Sequence, residues 1–468
     1  VSVKADERST SLIESATRYS LADASGSETT QGRGRVTLDA ESLTVLPELG
    51  EPLYVTYRDV EDVKAAEHRI ELPLASGETL TLSHLGYTYE DVLRSLRALR
   101  GEVLLRDLLM HETLHMGELR GDVAATDDDG ATRDLGRCEL RLYETGLVVI
   151  PHSDAPLRVP FAEIDGARVV GHAVMLDAEE LGTLTFSKMG RLLDPFVKAL
   201  SDTMNDLSVR TQQSLKDLLP ASDPATIRRT ARFLRDGKAA QRSDIESVSP
   251  ELWTELERTL DKAGMAAEYE VLASLGVRER ICIGIKRGLM GDLTGDYIWF
   301  LVPIHRTGSD APGSAIAMEA GMLGGSSRRA TYFFRLAAGS SPVDPTALEL
   351  EIDATIRRVN RCMLAINFRR EPLYLPEERL REPRYEKYRH AIAAIPELRE
   401  LRRLFLGRVF HRDSEQWQAD VVDLLRFSVT TGAGERWRHD QAQLDEPDEL
   451  FADSDEASAE EPPTQMPT

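Results

Sequence analysis

The sequence has no uninterrupted apolar run approaching the roughly 18 residues that a membrane-spanning helix requires. Its start, VSVKADERSTS, lacks a basic region followed by an apolar stretch. Both absences predict a cytoplasmic protein. Cysteine is scarce: Cys138, Cys282 and Cys362 lie far apart with no CxxC pair. That spacing signals neither a disulfide framework nor a cysteine-based zinc site, and it fits a reducing compartment. Also missing are a nucleophile elbow, a kinase signature, an EF-hand loop and the phosphate-binding patterns GxxxxGK[ST] and GxGxxG. An excess of basic charge is absent too. The formal net charge of -22 argues against whole-molecule attraction to nucleic acid or anionic lipid.

What is present is enough chain for about three domains, since 468 residues exceed what one ordinary core accommodates. From Asp440 onward there are ten acidic residues and no Lys or Arg. Such a stretch buries too little apolar surface to offset its ordering entropy, so 431–468 is predicted to be an acidic disordered tail.

Sliding the sequence against itself by 104 positions aligns 32–96 with 136–200 without a gap. Seventeen of those 65 positions are identical, where unrelated sequences would share roughly four. Leu43/Leu147, Val45/Val149, Pro47/Pro151, Pro52/Pro156, Leu53/Leu157 and Val55/Val159 match, as do Thr79-Leu80-Thr81 and Thr183-Leu184-Thr185. Each copy alternates apolar and polar residues in short runs, the period of half-buried strands. After Gly86 the period becomes helical through Val92, Leu96, Leu99 and Val103, and copy two repeats it with Phe196, Leu200 and Leu207. Each module therefore reads as five or six antiparallel strands closed by one amphipathic helix.

This order and size resemble the pleckstrin-homology-like (PH-like) fold, a small barrel capped by a carboxy-terminal helix. The resemblance covers 32–117 and 136–219 and is one of pattern. It implies an interaction module, since tandem PH-like modules occur in histone chaperones and other adaptor proteins. Members that bind phosphoinositides carry several Lys and Arg around the first hairpin loop. The loop read as its equivalent here is Asp39-Ala40-Glu41-Ser42, and in copy two Tyr143-Glu144-Thr145-Gly146. The resemblance thus argues against lipid headgroups and leaves protein binding open.

The expected fold class is α+β: two tandem PH-like small β-barrels, each capped by a C-terminal helix, then a helical segment, a third β-rich unit and a helical C-terminal region. In residue terms these are a polar N-terminal segment (1–31), module 1 (32–122), a linker (123–134), module 2 (135–220), a helical segment (221–275), a β-rich unit plus helix that is a candidate degenerate third copy (276–368), and an Arg-rich helical region (369–430). The linker assignment rests on the polar run TDDDGATRD at 126–134. Pro250 and Glu251 after Ser249 start a helix whose buried face is Leu252, Leu256 and Leu260.

Three features could carry chemistry. His111-Glu112-Thr113-Leu114-His115 has the HExxH spacing of zinc peptidases. On a helix, four residues make about one turn, so His111 and His115 could ligate zinc while Glu112 activates its water. No third ligand is marked downstream. Leu104, Leu108, His111 and His115 form one stripe, so the plainer reading is a helix end packed on the module through Leu104 and Leu108. The glycine cluster Gly284 to Gly295, with Lys286 and Arg287, invites phosphate, yet strand patterns flank it and a hairpin turn explains the glycines. The third feature is the Arg-rich stretch containing Arg369, Arg370, Arg379, Arg381, Arg384, Lys387, Arg389, Arg399, Arg402, Arg403 and Arg408. It suggests a nucleic-acid surface, but Glu371, Glu377, Glu378, Glu382, Glu386, Glu397 and Glu400 point to an ion-paired helical surface. His68 and His172 hold equivalent repeat positions, which common ancestry explains.

The favoured expectation is a non-enzymatic interaction or scaffold protein with a protein partner, no cofactor and an acidic tail. The rivals are a zinc-dependent hydrolase built on Glu112, His111 and His115, and a nucleic-acid adaptor using the Arg-rich helices.

Overall fold

The computed structural model describes residues 13–109, 112–152, 156–179, 181–288, 295–305, 314–322, 330–336, 345–365, 371–411, 413–432 and 434–437. It is a mixed α+β fold with three antiparallel sheets. The first sheet comprises β1 (Ile13–Ala22), β2 (Glu28–Leu38), β3 (Ser42–Pro47), β4 (Leu53–Thr56), β5 (Lys64–Ala66), β6 (Arg69–Pro73) and β7 (Thr79–Ser83), followed by helix α1 (Tyr89–Leu109). Its spatial order is β4-β3-β2-β1-β7-β6-β5. The second comprises β8 (Leu114–Thr126), β9 (Thr132–Tyr143), β10 (Gly146–Pro151), β11 (Leu157–Pro160), β12 (Ile164–Val170), β13 (Ala173–Ala178) and β14 (Gly182–Ser187), followed by α2 (Leu193–Leu218). Its order, β11-β10-β9-β8-β14-β13-β12, is the same once renumbered.

The duplication reaches further upstream than the aligned block. Ile13–Ala22, expected to lie in a polar leading segment, is the central strand of the first sheet. Its inward residues Ser15, Thr17 and Tyr19 are buried, and the hydroxyls of Ser15 and Thr17 find partners on other elements. Ser15 meets Thr88, and Thr17 Oγ1 donates to the Ser83 carbonyl at 3.1 Å. In copy two the same places hold Leu119, Gly121 and Val123, so the residues diverge while the strand persists. A β-carbon at Gly121 would stand 2.9 Å from the Ser187 carbonyl oxygen. Each sheet therefore has seven strands rather than five or six.

The expected linker is also corrected. Residues 127–131 of TDDDGATRD are the turn of the β8–β9 hairpin and its ends belong to the two strands, so module 2 follows α1 with only a short connection. Asp127 closes that turn: its carboxylate accepts from Ala131 N at 2.8 Å, and Gly130 takes φ 82°. Asp23 closes the β1–β2 turn alike, accepting from Ser27 N at 3.0 Å with Gly26 at φ 82°. These are the first hairpin loops of the modules. Asp39-Ala40-Glu41 instead belongs to the second connection.

Strands β15 (Ala240–Gln241), β16 (Cys282–Gly288), β17 (Gly295–Ile304), β18 (Ala315–Met322), β19 (Ala330–Arg335) and β20 (Phe405–Phe410) form the third sheet in simple sequential order. That order lacks the rearrangement of the other two, so this unit is not a third copy. Phe405–Phe410, expected within a helical region, supplies its last strand. The runs YIWFLVPI and ATYFFR have almost no polar alternation because both faces of the sheet are covered. Ile298, Phe300 and Val302 face one core, shared with α3 (Pro224–Ala231), α4 (Arg242–Val248), α5 (Pro250–Lys262), α6 (Ala266–Leu275) and α12 (Ser414–Thr430). Trp299 and Leu301 face the other, shared with α7 (Pro345–Ala365), α8 (Glu371–Tyr374), α9 (Glu377–Leu380), α10 (Glu386–Ala394) and α11 (Pro396–Leu404). Pro250 opens α5 as expected and Leu252, Leu256 and Leu260 are buried, although the Ser249 side chain does not cap it. No helix among the described residues is long and apolar enough to cross a membrane. The expected acidic tail (431–468) begins too early: Trp437 is buried in the core shared with α12, and its backbone N–H donates to the Leu406 carbonyl at 2.7 Å, while 438–468 lie outside the described residues.

Candidate functional site

The HETLH segment is not a helical turn. Helix α1 ends at Leu109, Glu112 and Thr113 are irregular, and Leu114 opens β8. Gly117 and Gly121 disfavour continued helix, while Leu114 pairs with Tyr143 on β9. The helical geometry that would set two imidazoles on one face is therefore missing. His111 lies outside the described residues. The exposed His115 places Nδ1 3.1 Å from Thr203 Oγ1 on α2. Leu104 and Leu108 are buried.

Glu112 has a different occupation. Its carboxylate meets Arg158 Nη2 at 2.6 Å, and the side chains are only 1% and 8% exposed respectively. Thr145 donates to it from Oγ1 at 2.7 Å and from the backbone at 3.2 Å. Burial would raise its pKa, but the Arg158 charge and the Thr145 bonds outweigh burial and hold it below the ordinary carboxylate value. Arg158 also donates to the Leu364 carbonyl at 2.9 Å, tying module 2 to α7. The Glu112 carboxylate is thus held by Arg158 and Thr145 within module 2.

The glycine cluster falls largely outside the described residues. Its flanks are antiparallel neighbours, with Lys286 opposite Tyr297 on β16 and β17. Most of the Arg-rich stretch pairs at short range: Arg379 and Arg384 with Glu382, Arg381 and Arg402 with Glu377, Arg403 with Glu400, and Arg389 with Asp59. Arg369 and Arg370 lie outside the described residues. His68 packs edge-on against Tyr89 at 5.2 Å, and His172 is exposed in a turn. The three cysteines are buried and free; burial pushes the Cys138 thiol up to about 11 and raises the other two as well.

One titratable cluster escaped the sequence reading. Glu268 on α6, Glu319 on β18 and His411 just after β20 bring one ligand-type atom each within 4.8 Å of one another. His411 Nδ1 lies 3.0 Å from Glu268, and Nε2 lies 3.0 Å from both Glu319 and Thr331 Oγ1. Trp417 Nε1 donates to Thr331 at 3.1 Å. Glu319 is fully buried. With its two nitrogens turned to different carboxylates, the imidazole serves as a bridge between them, and this arrangement does not by itself assign zinc. The only signal in the sequence is a lone acid in the apolar run AIAMEAGM.

A second cluster joins distant parts of the chain. Arg58, in the loop after β4, forks onto Asp107 of α1 at 2.8 and 2.9 Å, and His390 of α10 meets the same carboxylate at 3.0 Å. Asp107 and His390 are almost wholly buried.

No family model matches the chain, and no curated protein matches it in sequence. Fold and side chains define a mixed α+β protein of duplicated antiparallel modules joined to a helix-covered sheet.

Proposed function

We propose that the chain is a non-enzymatic adaptor that binds a protein partner through tandem PH-like modules. The observation that carries this reading is the repeated strand order, closed each time by a carboxy-terminal helix, an arrangement in keeping with a small helix-capped barrel. The fate of Glu112 supports it, since the group a hydrolase would need is spent on a buried ion pair. Carboxylates in both first hairpin loops, Asp23 in one and Asp127, Asp128 and Asp129 in the other, weigh against phosphoinositide headgroups. The pairing of the Arg-rich helices weighs against nucleic acid.

A partner segment in extended form would add to the edge strand β12. Its start is blunted by Arg235, which donates to the Ile164 carbonyl at 2.6 Å. Farther along, Val169 and Val170 are 52% and 54% exposed, and among the described residues β12 has a neighbour on one side only. Photo-crosslinking in cells from position 170, followed by titration with the purified partner it identifies, tests the proposal. Saturable binding with no accompanying peptide or ester hydrolysis is expected. Hydrolysis abolished by Glu112→Gln in folded protein would replace the adaptor with the hydrolase.

A further inference from the structure

Helix α10 reaches across the molecule to module 1. It packs on α1, where His390 enters a buried site already occupied by an ion pair. Arg58 meets Asp107 with a two-pronged contact at 2.8 and 2.9 Å, so the one negative charge of Asp107 is matched before His390 arrives. The ring adds a hydrogen bond from Nδ1 at 3.0 Å. Asp107, with its charge held by Arg58, accepts that bond, which fixes the neutral ring with its proton on Nδ1. Nε2 has no hydrogen-bond partner among the described residues and is out of water. In the neutral ring that atom is an unfilled acceptor, a small cost. Protonation turns it into a buried charged donor with nothing to receive it, a large one.

The surrounding charges sharpen the asymmetry. Asp107 and Arg100 approach His390 from α1, and Arg58 approaches from the loop after β4. Arg100 is anchored to the carbonyls of Val60 and Glu61 at 2.9 and 2.7 Å. On α10 itself, Arg389 is taken by Asp59 at 3.0 Å, and Glu386 acts on Arg58. Glu378 of α9 is exposed, and the charged residues named next, on the other helices packed on α10, have partners other than His390. Arg402 binds Glu377 and the carbonyls of Leu373 and Leu375, Arg399 the carbonyl of Ala393, and Glu397 binds Arg361. Arg379, Arg381, Arg384 and Arg403 hold the glutamates named above. Burial lowers the affinity of His390 for a proton, and the nearby Arg100 and Arg58 add to that against the pull of Asp107.

We propose that His390 is an acid-released latch that holds α10 onto module 1: the neutral ring docks on Asp107, and its protonation drives the helix off. Because its folded-state pKa is lowered, the docked form is favoured at neutral pH. That preference is lost as pH falls through the ordinary imidazole value of 6.5 and toward the lower folded value. Release has a second consequence. Ile395, at the end of α10, packs on a small apolar cluster of Leu105, Leu108 and Leu109 from α1 with Tyr143 and Val148 from module 2. Undocking would uncover a surface shared by both modules. The latch does not depend on the adaptor reading.

The test is hydrogen exchange on the full chain between pH 7.5 and 5.0, corrected for intrinsic rates and read on peptides covering 386–394 and 100–109. A parallel NMR titration follows the His390 ring. Protection of both segments is expected to fall at least tenfold on acidification, with a midpoint that tracks the ring titration. His390→Asn keeps a donor near the Nδ1 position and cannot take up the proton, so it should remain protected at pH 5. Unchanged protection in the wild type, a midpoint unrelated to the ring, or an equal acid response in folded His390→Asn would each overturn the latch. If His390→Asn fails to fold, the comparison of the two wild-type midpoints decides alone.

Discussion

Leu43 and Leu147, 104 residues apart, occupy one position in two sheets. Leu43 pairs with Leu38 on one side and Val55 on the other, Leu147 with Leu142 and Val159. All four partners keep the same offset, and both leucines are fully buried. Truncation to alanine should therefore cost each module about 2–5 kcal/mol, the range for a buried leucine in a packed core. Chemical denaturation of Leu43→Ala and Leu147→Ala checks this. A loss under 1 kcal/mol in either would mean that the two cores are not equivalent.

The matched hairpin turns predict a smaller, paired effect. Asp23→Ala and Asp127→Ala each remove a carboxylate that accepts backbone N–H groups in the same turn. Each should lower stability only slightly, in line with the loss of a local side-chain to backbone bond in a solvent-exposed turn. Amide exchange in the two hairpins, compared variant by variant, would show the loosening confined to the module that carries the change.

The Glu112–Arg158 pair makes a stronger claim. Removing one partner of a buried ion pair leaves the other uncompensated, so Glu112→Gln should destabilise the chain by about 3–5 kcal/mol. Glu112→Gln combined with Arg158→Met should cost less than the sum of the two single changes. Since its pKa is lowered in the folded state, Glu112 contributes stability above its ordinary value of 4.5 and loses it as pH falls below that. Wild-type stability should therefore decline more steeply below pH 4.5 than that of Glu112→Gln. Equal slopes would remove Glu112 from the acid response.

Much of this organisation was legible in the sequence, and what was hidden had physical causes. The repeat was readable where leucine and valine face the cores, and it faded where Ser15 and Thr17 do that work, because buried hydroxyls carry no apolar alternation. A loop of Asp, Gly and Thr reads alike as linker or tight turn, and only pairing across β8 and β9 decides between them. HETLH has helical spacing but sits at a helix-to-strand junction. The Glu268–Glu319–His411 and Arg58–Asp107–His390 clusters gather residues from distant segments, and no short motif can announce such meetings.

The buried bridge at His411 yields a prediction of its own. With Glu319 fully buried between Thr331 and His411, His411→Leu should destabilise the third sheet by several kcal/mol. Elemental analysis of purified protein should find zinc below one equivalent, unaffected by His115→Ala. Stoichiometric zinc that disappears with His411→Leu would turn the bridge into a metal site.

The adaptor account is tested most directly by calorimetric titration of the crosslinked partner, once purified, against the wild-type chain and a Val169→Lys/Val170→Lys variant. Like charges on an exposed edge strand oppose an added strand without disturbing the core. The account predicts saturable binding to the wild type and at least tenfold weaker binding to the variant, with an unchanged thermal midpoint. Equal affinity for the two proteins would contradict docking at β12, and the absence of any saturable protein binding would contradict the adaptor itself.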